Sequence, residues 1–65
     1  MIKSVIRLSN NMVMVFDAKG EQVPEYQGQY EVVKESILRD APAEAVFSNW
    51  FGYALEPRAM PRKNW

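Results

Sequence analysis

The sequence contains no cysteine and no histidine. The chain therefore has no disulfide, no thiolate nucleophile, no imidazole base and none of the usual zinc ligands, which excludes hydrolases of the Ser-His and Cys-His types. Its 3 glycines are isolated from one another, so no glycine-rich loop is available to hold a phosphate group. None of the 8 acidic residues lies on a predicted apolar face, where burial could tune a catalytic pKa. We expect no enzymatic activity, no metal site and no cofactor.

The sequence has no net charge, because 8 basic residues balance 8 acidic ones. The charges are unevenly spread: residues 17–56 carry 3 basic against 8 acidic residues, a net charge of −5, whereas the first 16 residues carry +2 and the last 9 carry +3. Nucleic-acid-binding domains usually have a net positive charge. The neutral total therefore disfavours nucleic acid as a partner.

The sequence has no long apolar run. The longest one, residues 12–16, has 5 residues and is too short to cross a membrane. Polar residues such as Arg7 and Asn10 interrupt the apolar start, which a secretory signal does not allow. We therefore expect a cytoplasmic protein that does not bind membranes. A chain of 65 residues forms one domain at most, which we assign to residues 1–56, with residues 57–65 as a docked C-terminal tail.

Two runs rich in β-branched residues, residues 2–8 and 12–16, flank the pair Asn10-Asn11. Asparagine tolerates the positive φ that a two-residue hairpin turn requires, so the pattern predicts a β-hairpin with this pair as its turn. In that register Ile6 lies opposite Val15, and Arg7 lies beside Met14.

A second turn signal at residues 17–20 returns the chain as a short strand at residues 21–23, which Pro24 ends. The sequence thus predicts a three-stranded β-meander with residues 12–16 in the middle.

Beyond Pro24 the apolar period changes to that of an amphipathic helix. The apolar positions are Tyr26, Tyr30, Val33, Ile37 and Ala41. The start of the helix is left open between Pro24 and Gly28, whereas Pro42 forbids its continuation.

Residues 45–51 fit a fourth strand better than a helix, because Asn49, Trp50 and Gly52 do not favour a helix. A right-handed crossover through the helix would place this strand parallel to the first one. The predicted fold is α+β: a β-meander of three strands, one amphipathic helix, a fourth strand and an irregular C-terminal tail, with the helix packed on one face of the sheet.

The order hairpin, helix, strand is also the order in which ubiquitin-like β-grasp domains begin, although this chain ends in Lys63-Asn64-Trp65 and lacks the Gly-Gly tail of the conjugating members. More closely, the chain resembles a group of small uncharacterised bacterial proteins. The resemblance covers most of the chain, through residues 5–17 and the motifs Tyr26-Gln27-Gly28, Asp40-Ala41-Pro42 and Trp50-Phe51-Gly52. It implies a stand-alone bacterial protein and no particular chemistry.

One face of the predicted sheet lacks a helix to cover it. This face carries Met12, Met14, Phe16 and Trp50, with Arg7 at its rim. An open apolar sheet face on a small protein is usually a partner site, and methionine side chains adapt to more than one partner. We therefore predict a protein-interaction module that binds a protein partner or a second copy of itself.

Three other interpretations remain open. The tail could fold back so that Tyr53, Leu55, Met60 and Trp65 cover the open face, or a ligand could fill a pocket there. Alternatively, the protein could bind single-stranded RNA weakly, with aromatic residues stacking on bases and basic residues holding phosphates. The basic residues in question are Lys3, Arg7, Arg58, Arg62 and Lys63.

Overall fold

The computed structural model describes residues 1–65. It has a five-stranded mixed sheet and one α-helix, so the predicted α+β class is confirmed. The elements are β1 (Ile2–Leu8), β2 (Met12–Asp17), β3 (Gly28–Gln29), α1 (Tyr30–Asp40), β4 (Val46–Trp50) and β5 (Arg58–Met60), with short 3-10 helices at Pro24–Tyr26 and Arg62–Asn64. The strand order in the sheet is β3-β2-β1-β4-β5.

The hairpin between β1 and β2 has a three-residue loop, not the predicted two-residue turn. Ile6 pairs with Met14 and Val5 pairs with Val15, one residue away from the predicted register. Within this loop only Asn11 has a positive φ, 66°, and the side chain of Asn10 accepts a hydrogen bond from the backbone N–H of Met12. A left-handed residue after a type I turn favours a three-residue loop over the two-residue turn, which needs positive φ at both central positions.

The predicted third strand at residues 21–23 is reduced to one bridge between Phe16 and Gln22. Pro24 starts a 3-10 turn there, and the chain returns to β2 only at β3. The amide of Gln27 fills the gap, because it accepts a hydrogen bond from the N–H of Val15 (3.2 Å) and donates one to its carbonyl (2.7 Å).

Helix α1 buries one stripe, formed by Tyr30, Val33 and Ile37, against the sheet. It begins after Gly28, whose φ of 141° no residue with a Cβ adopts readily. It ends at Asp40, two residues before Pro42, as predicted. The predicted helical residue Tyr26 lies outside it, and the Tyr26 hydroxyl donates to the carboxylate of Asp40 (2.7 Å).

Strand β4 runs parallel to β1 and pairs Phe47 with Val5, so the predicted fourth strand and its direction are confirmed. The description of residues 57–65 as irregular is wrong for their first part, because Arg58–Met60 forms β5, antiparallel to β4. Pro57 and Pro61 flank this strand and keep it short.

The C-terminal residue Trp65 is part of the core on the helix side of the sheet. Its ring makes edge-on contacts with Tyr30 (centroids 5.1 Å apart) and Phe47 (5.0 Å). Its indole N–H donates to the carbonyl of Ser48 (3.1 Å), and the Tyr30 hydroxyl donates to the carbonyl of Trp65 (2.6 Å). The C-terminal segment therefore packs on the same face as the helix.

The interpretation in which the tail covers the opposite face is wrong. Met60 packs against the helix-side core, whereas Tyr53 and Leu55 are fully exposed in the loop between β4 and β5. No element of the chain lies over the second face of the sheet.

Candidate protein interface

The two-residue period of the strands determines which side chains lie on the second face of the sheet. Val5, Val13, Val15 and Phe47 are buried beneath the helix and Trp65, so their strand neighbours point the other way. We call this second surface the outer face. Its large apolar side chains are Ile6, Leu8, Met12, Met14, Phe16, Val46 and Trp50.

The register arranges these side chains in rows across β2, β1 and β4. Ile6 lies between Met14 and Ser48, and the neighbouring row has Ser4 between Phe16 and Val46. At the other end Leu8 is beside Trp50, and continuing the β1–β2 register places Met12 opposite Leu8.

The two flanking strands differ in side-chain size. Strand β2 presents three long side chains, Met12, Met14 and Phe16, whereas the middle position of β4 is the small Ser48. Ser48 is only 5% exposed, and its hydroxyl donates to the carbonyl of Val5 (3.2 Å). The middle of β4 therefore adds little apolar surface to the outer face.

The outer face is not part of the core. None of its seven apolar residues belongs to the buried cluster or to the side chains packed against that cluster. All seven keep partial exposure, with Val46 the most exposed at 47%. None is charged. A contiguous apolar patch of this kind is a common mark of an interaction site.

Four of the five residues that the sequence analysis selected, Met12, Met14, Phe16 and Trp50, lie together on the outer face. The fifth, Arg7, does not. It lies on the helix side, where its guanidinium is 3.5 Å from the ring centroid of Tyr30 and its Nε donates to Asn11 Oδ1 (2.9 Å). The one-residue difference in register explains this, because it turns Arg7 to the side opposite Met14.

The same difference explains why the sequence analysis missed Ile6 and Leu8, which share the face of Val13 and Val15 in the predicted register. Val46, on β4, was not singled out for a separate reason: only Trp50 was selected on that strand. The signal that could have placed Ile6 and Leu8 is Ser9, which extends the asparagine pair to a three-residue loop. Nothing in the local sequence of β1 itself distinguishes the two registers.

Three of the five basic residues considered for RNA binding lie on the helix side of the sheet. Arg58 pairs with Asn49, which is opposite Arg7, so both arginines lie on the helix side. Arg62 is held there too, since its guanidinium donates to the carbonyls of Ala41 (3.1 Å) and Pro42.

A concave region lies on the helix side, between Pro61 and the β4–β5 loop. It has a volume of about 520 Å³ and includes Asn49, Arg58 and Met60 in its lining. The Nδ2 of Asn49 donates to the Met60 sulfur (3.3 Å), whereas its Oδ1 is buried without a hydrogen-bond partner. Because that oxygen is shielded from the cavity, it offers no contact to a ligand in this side-chain conformation.

The ionisable groups with perturbed pKa values are on the surface, away from the outer face. Hydrogen bonds from Arg39 and Tyr26 lower the pKa of the Asp40 carboxyl. The hydrogen bond between the Tyr26 hydroxyl and Asp40 raises the pKa of Tyr26. Hydrogen bonds from the backbone of Glu21 and Lys19 lower the pKa of Asp17 in its turn. The acidic residues do not form any cluster of three or more that could hold a metal ion.

The single helix is too short and too polar to span a lipid bilayer. Comparison with known proteins finds no match among family models, curated proteins or solved structures.

Proposed function

We propose that this protein is an interaction module that binds another protein surface through the outer face. The observation that carries the proposal is the set of seven apolar side chains that the fold gathers on one face and leaves out of its core. Burying apolar surface contributes about 25 cal/mol per Å², so covering such a face is favourable for any partner of matching shape.

The composition of the outer face also resembles the centre of known interfaces. Such centres are poor in charged residues and rich in aromatic residues and methionine. The outer face has Met12, Met14, Phe16 and Trp50 and no charged side chain in its rows. Trp50 is the side chain we expect to contribute most, since tryptophan is enriched among residues that dominate binding energies.

A photo-cross-linking experiment tests the proposal. A photoreactive amino acid replaces Met12, which is 36% exposed on the outer face, or Val32, which is 72% exposed on the helix. If the outer face binds protein, light-dependent adducts form from the Met12 position in an extract of the source cells. The more exposed Val32 position should give none, and Met14→Lys should abolish those at Met12. Equal labelling from both positions would contradict the proposal.

A further inference from the structure

The cavity on the helix side, between Pro61 and the β4–β5 loop, has the size of a small-molecule site. Its volume of about 520 Å³ lies within the range of roughly 300–1,000 Å³ that is typical of ligand pockets. Most of its lining residues are apolar, and none is acidic. Ligand pockets commonly combine such an apolar lining with a few polar groups that fix the orientation of the ligand.

Arg58 is the only charged residue that lines this cavity. The other three arginines of the chain have partners: Arg7 lies over an aromatic ring, Arg39 forms an ion pair, and Arg62 donates to two backbone carbonyls. The guanidinium of Arg58 has no hydrogen bond, ion pair or aromatic contact within the protein. Because a guanidinium matches the two oxygens of a carboxylate in its planar geometry, the cavity has a free group for an anion.

Asn49 places a second donor beside Arg58. The two residues pair across β4 and β5, so their side chains leave the sheet on the same face, with Cβ atoms about 5 Å apart. The Nδ2 of Asn49 carries two N–H groups, of which one donates to the sulfur of Met60. The other N–H has no acceptor in the protein. A carboxylate bound beside Arg58 can accept from this amide as well.

Phe51 and Met60 determine what kind of body the ligand has. Phe51 is 46% exposed, and it belongs neither to the core nor to the side chains packed against it. Aromatic rings pair favourably with each other, edge-on or offset, and a thioether sulfur makes favourable contacts with an aromatic ring. A flat aromatic body would therefore contact both residues and cover the exposed ring of Phe51.

From these observations we propose that the cavity binds a small aromatic carboxylate. Its ring contacts Phe51 and Met60, and its carboxylate pairs with Arg58 and the Asn49 amide. One guanidinium matches the single charge of a carboxylate, whereas a phosphate group carries nearly two charges and three acceptor oxygens. The site lies on the helix side of the sheet, so it does not depend on the proposed function of the outer face.

The experiment is a titration of the ¹⁵N-labelled full chain at low salt, followed by the NMR shifts of its backbone amides. The probes are 3-phenylpropanoate and its neutral amide, 3-phenylpropanamide. We expect a dissociation constant of about 1 mM for the carboxylate, a reasonable value for a ligand of about 11 non-hydrogen atoms. The shifts should be largest at Ala54 and Ala59, which line the cavity. The neutral amide should bind about three- to tenfold more weakly, because it lacks the charge that meets Arg58.

Three variants assign the contacts. Arg58→Gln should weaken binding of the carboxylate about three- to tenfold and leave binding of the amide unchanged. The control Lys19→Gln removes the same charge from the turn after β2, at the opposite end of the sheet, and should change neither dissociation constant. Phe51→Ala should weaken both probes alike, because it removes an apolar wall. Arg58 and Phe51 are outside the core, and a far-UV circular dichroism spectrum confirms that each variant is folded.

Four results would overturn the proposal: no shift at about 10 mM carboxylate, shifts centred on the outer face, a preference for the carboxylate that survives Arg58→Gln, or tighter binding of phenyl phosphate than of 3-phenylpropanoate. The photo-cross-linking from Met12 examines the opposite face of the sheet. The proposed function and the carboxylate site can therefore each fail without the other.

Discussion

The contribution of Trp65 to stability can be worked out from its contacts. Its side chain is 4% exposed and packs edge-on against Tyr30 and Phe47. Truncating a buried tryptophan to alanine costs about 3–5 kcal/mol. A domain of this length has a total free energy of unfolding of about 3–10 kcal/mol, at roughly 0.05–0.15 kcal/mol per residue. Trp65→Ala should therefore remove a large share of the stability or unfold the chain.

Trp65→Phe separates packing from hydrogen bonding. Phenylalanine keeps most of the buried ring but cannot donate to the carbonyl of Ser48, so we expect a loss of about 1–3 kcal/mol, between wild type and Trp65→Ala. Tyr53→Ala is the matched control, because Tyr53 is an aromatic residue that is fully exposed. It should change stability by less than about 0.5 kcal/mol.

The assay is urea unfolding followed by far-UV circular dichroism, at a protein concentration low enough to exclude association. The free energies come from linear extrapolation, with unchanged slopes as the check that the transition stays two-state. If Trp65→Ala unfolds at the same urea concentration as Tyr53→Ala, the C-terminal segment is not part of the core, and the explanation of why the outer face is open fails with it.

Three further predictions concern the hairpin loop, the Tyr26–Asp40 pair and nucleic acid. Asn11 has a φ of 66°, so Asn11→Gly relieves backbone strain but loses the hydrogen bond to Arg7, and we expect a free energy of unfolding within about 0.5 kcal/mol of wild type. Asn11→Val should lose at least about 1 kcal/mol, because a β-branched residue does not tolerate this φ. Equal stabilities of the two variants would refute the left-handed conformation of residue 11. Because the Asp40 pKa is lower in the folded chain than its ordinary value of 3.8, the unfolded chain binds this proton more readily, and the stabilisation is present above pH 3.8 and lost as the pH falls below it. Asp40→Asn should therefore lower the urea midpoint at pH 7 and change it less near pH 2. A difference between the midpoints of the variant and the wild type that stays constant with pH would contradict this. Labelled single-stranded RNA should give no anisotropy change at tens of micromolar protein in low salt; binding that weakens steeply with added salt would instead support the RNA alternative.

The main elements of the fold could be predicted because each has a strong local signal. The period of the helix and the stop at Pro42 depend only on neighbouring residues, as does the β-branched composition of the first two strands. Strand β5 could not be predicted in this way. Its 3 residues lie between two prolines, and only pairing with β4 makes them a strand. Local signals left the start of the helix open between Pro24 and Gly28, because Tyr26 fits the helical period; the structure places it after Gly28, and Tyr26 bonds to Asp40 from outside the helix.

The sequence predicts which residues of one strand share a face of the candidate interface, because that depends only on the strand period. It does not predict which residues of the neighbouring strand join them, because that depends on the register of the hairpin. Met12, Met14 and Phe16 share a face in any register, because they alternate along one strand. Trp50 follows from the same rule once Phe47 is placed in the core. The sides of the β1 residues depend on the length of the loop, and a change of one residue moves every side chain of that strand to the other face.

That change of one residue also determines the charge of the outer face. In the predicted register Arg7 lies beside Met14, at the rim of the open surface. In the observed register Val13 is opposite Arg7 instead, and the guanidinium stacks on Tyr30 beneath the loop. A cation over an aromatic ring is a stable position for this charge on the helix side. The three-residue loop thus removes a positive charge from the outer face and brings Ile6 and Leu8 onto it, and both changes make that face a more apolar surface for a protein partner.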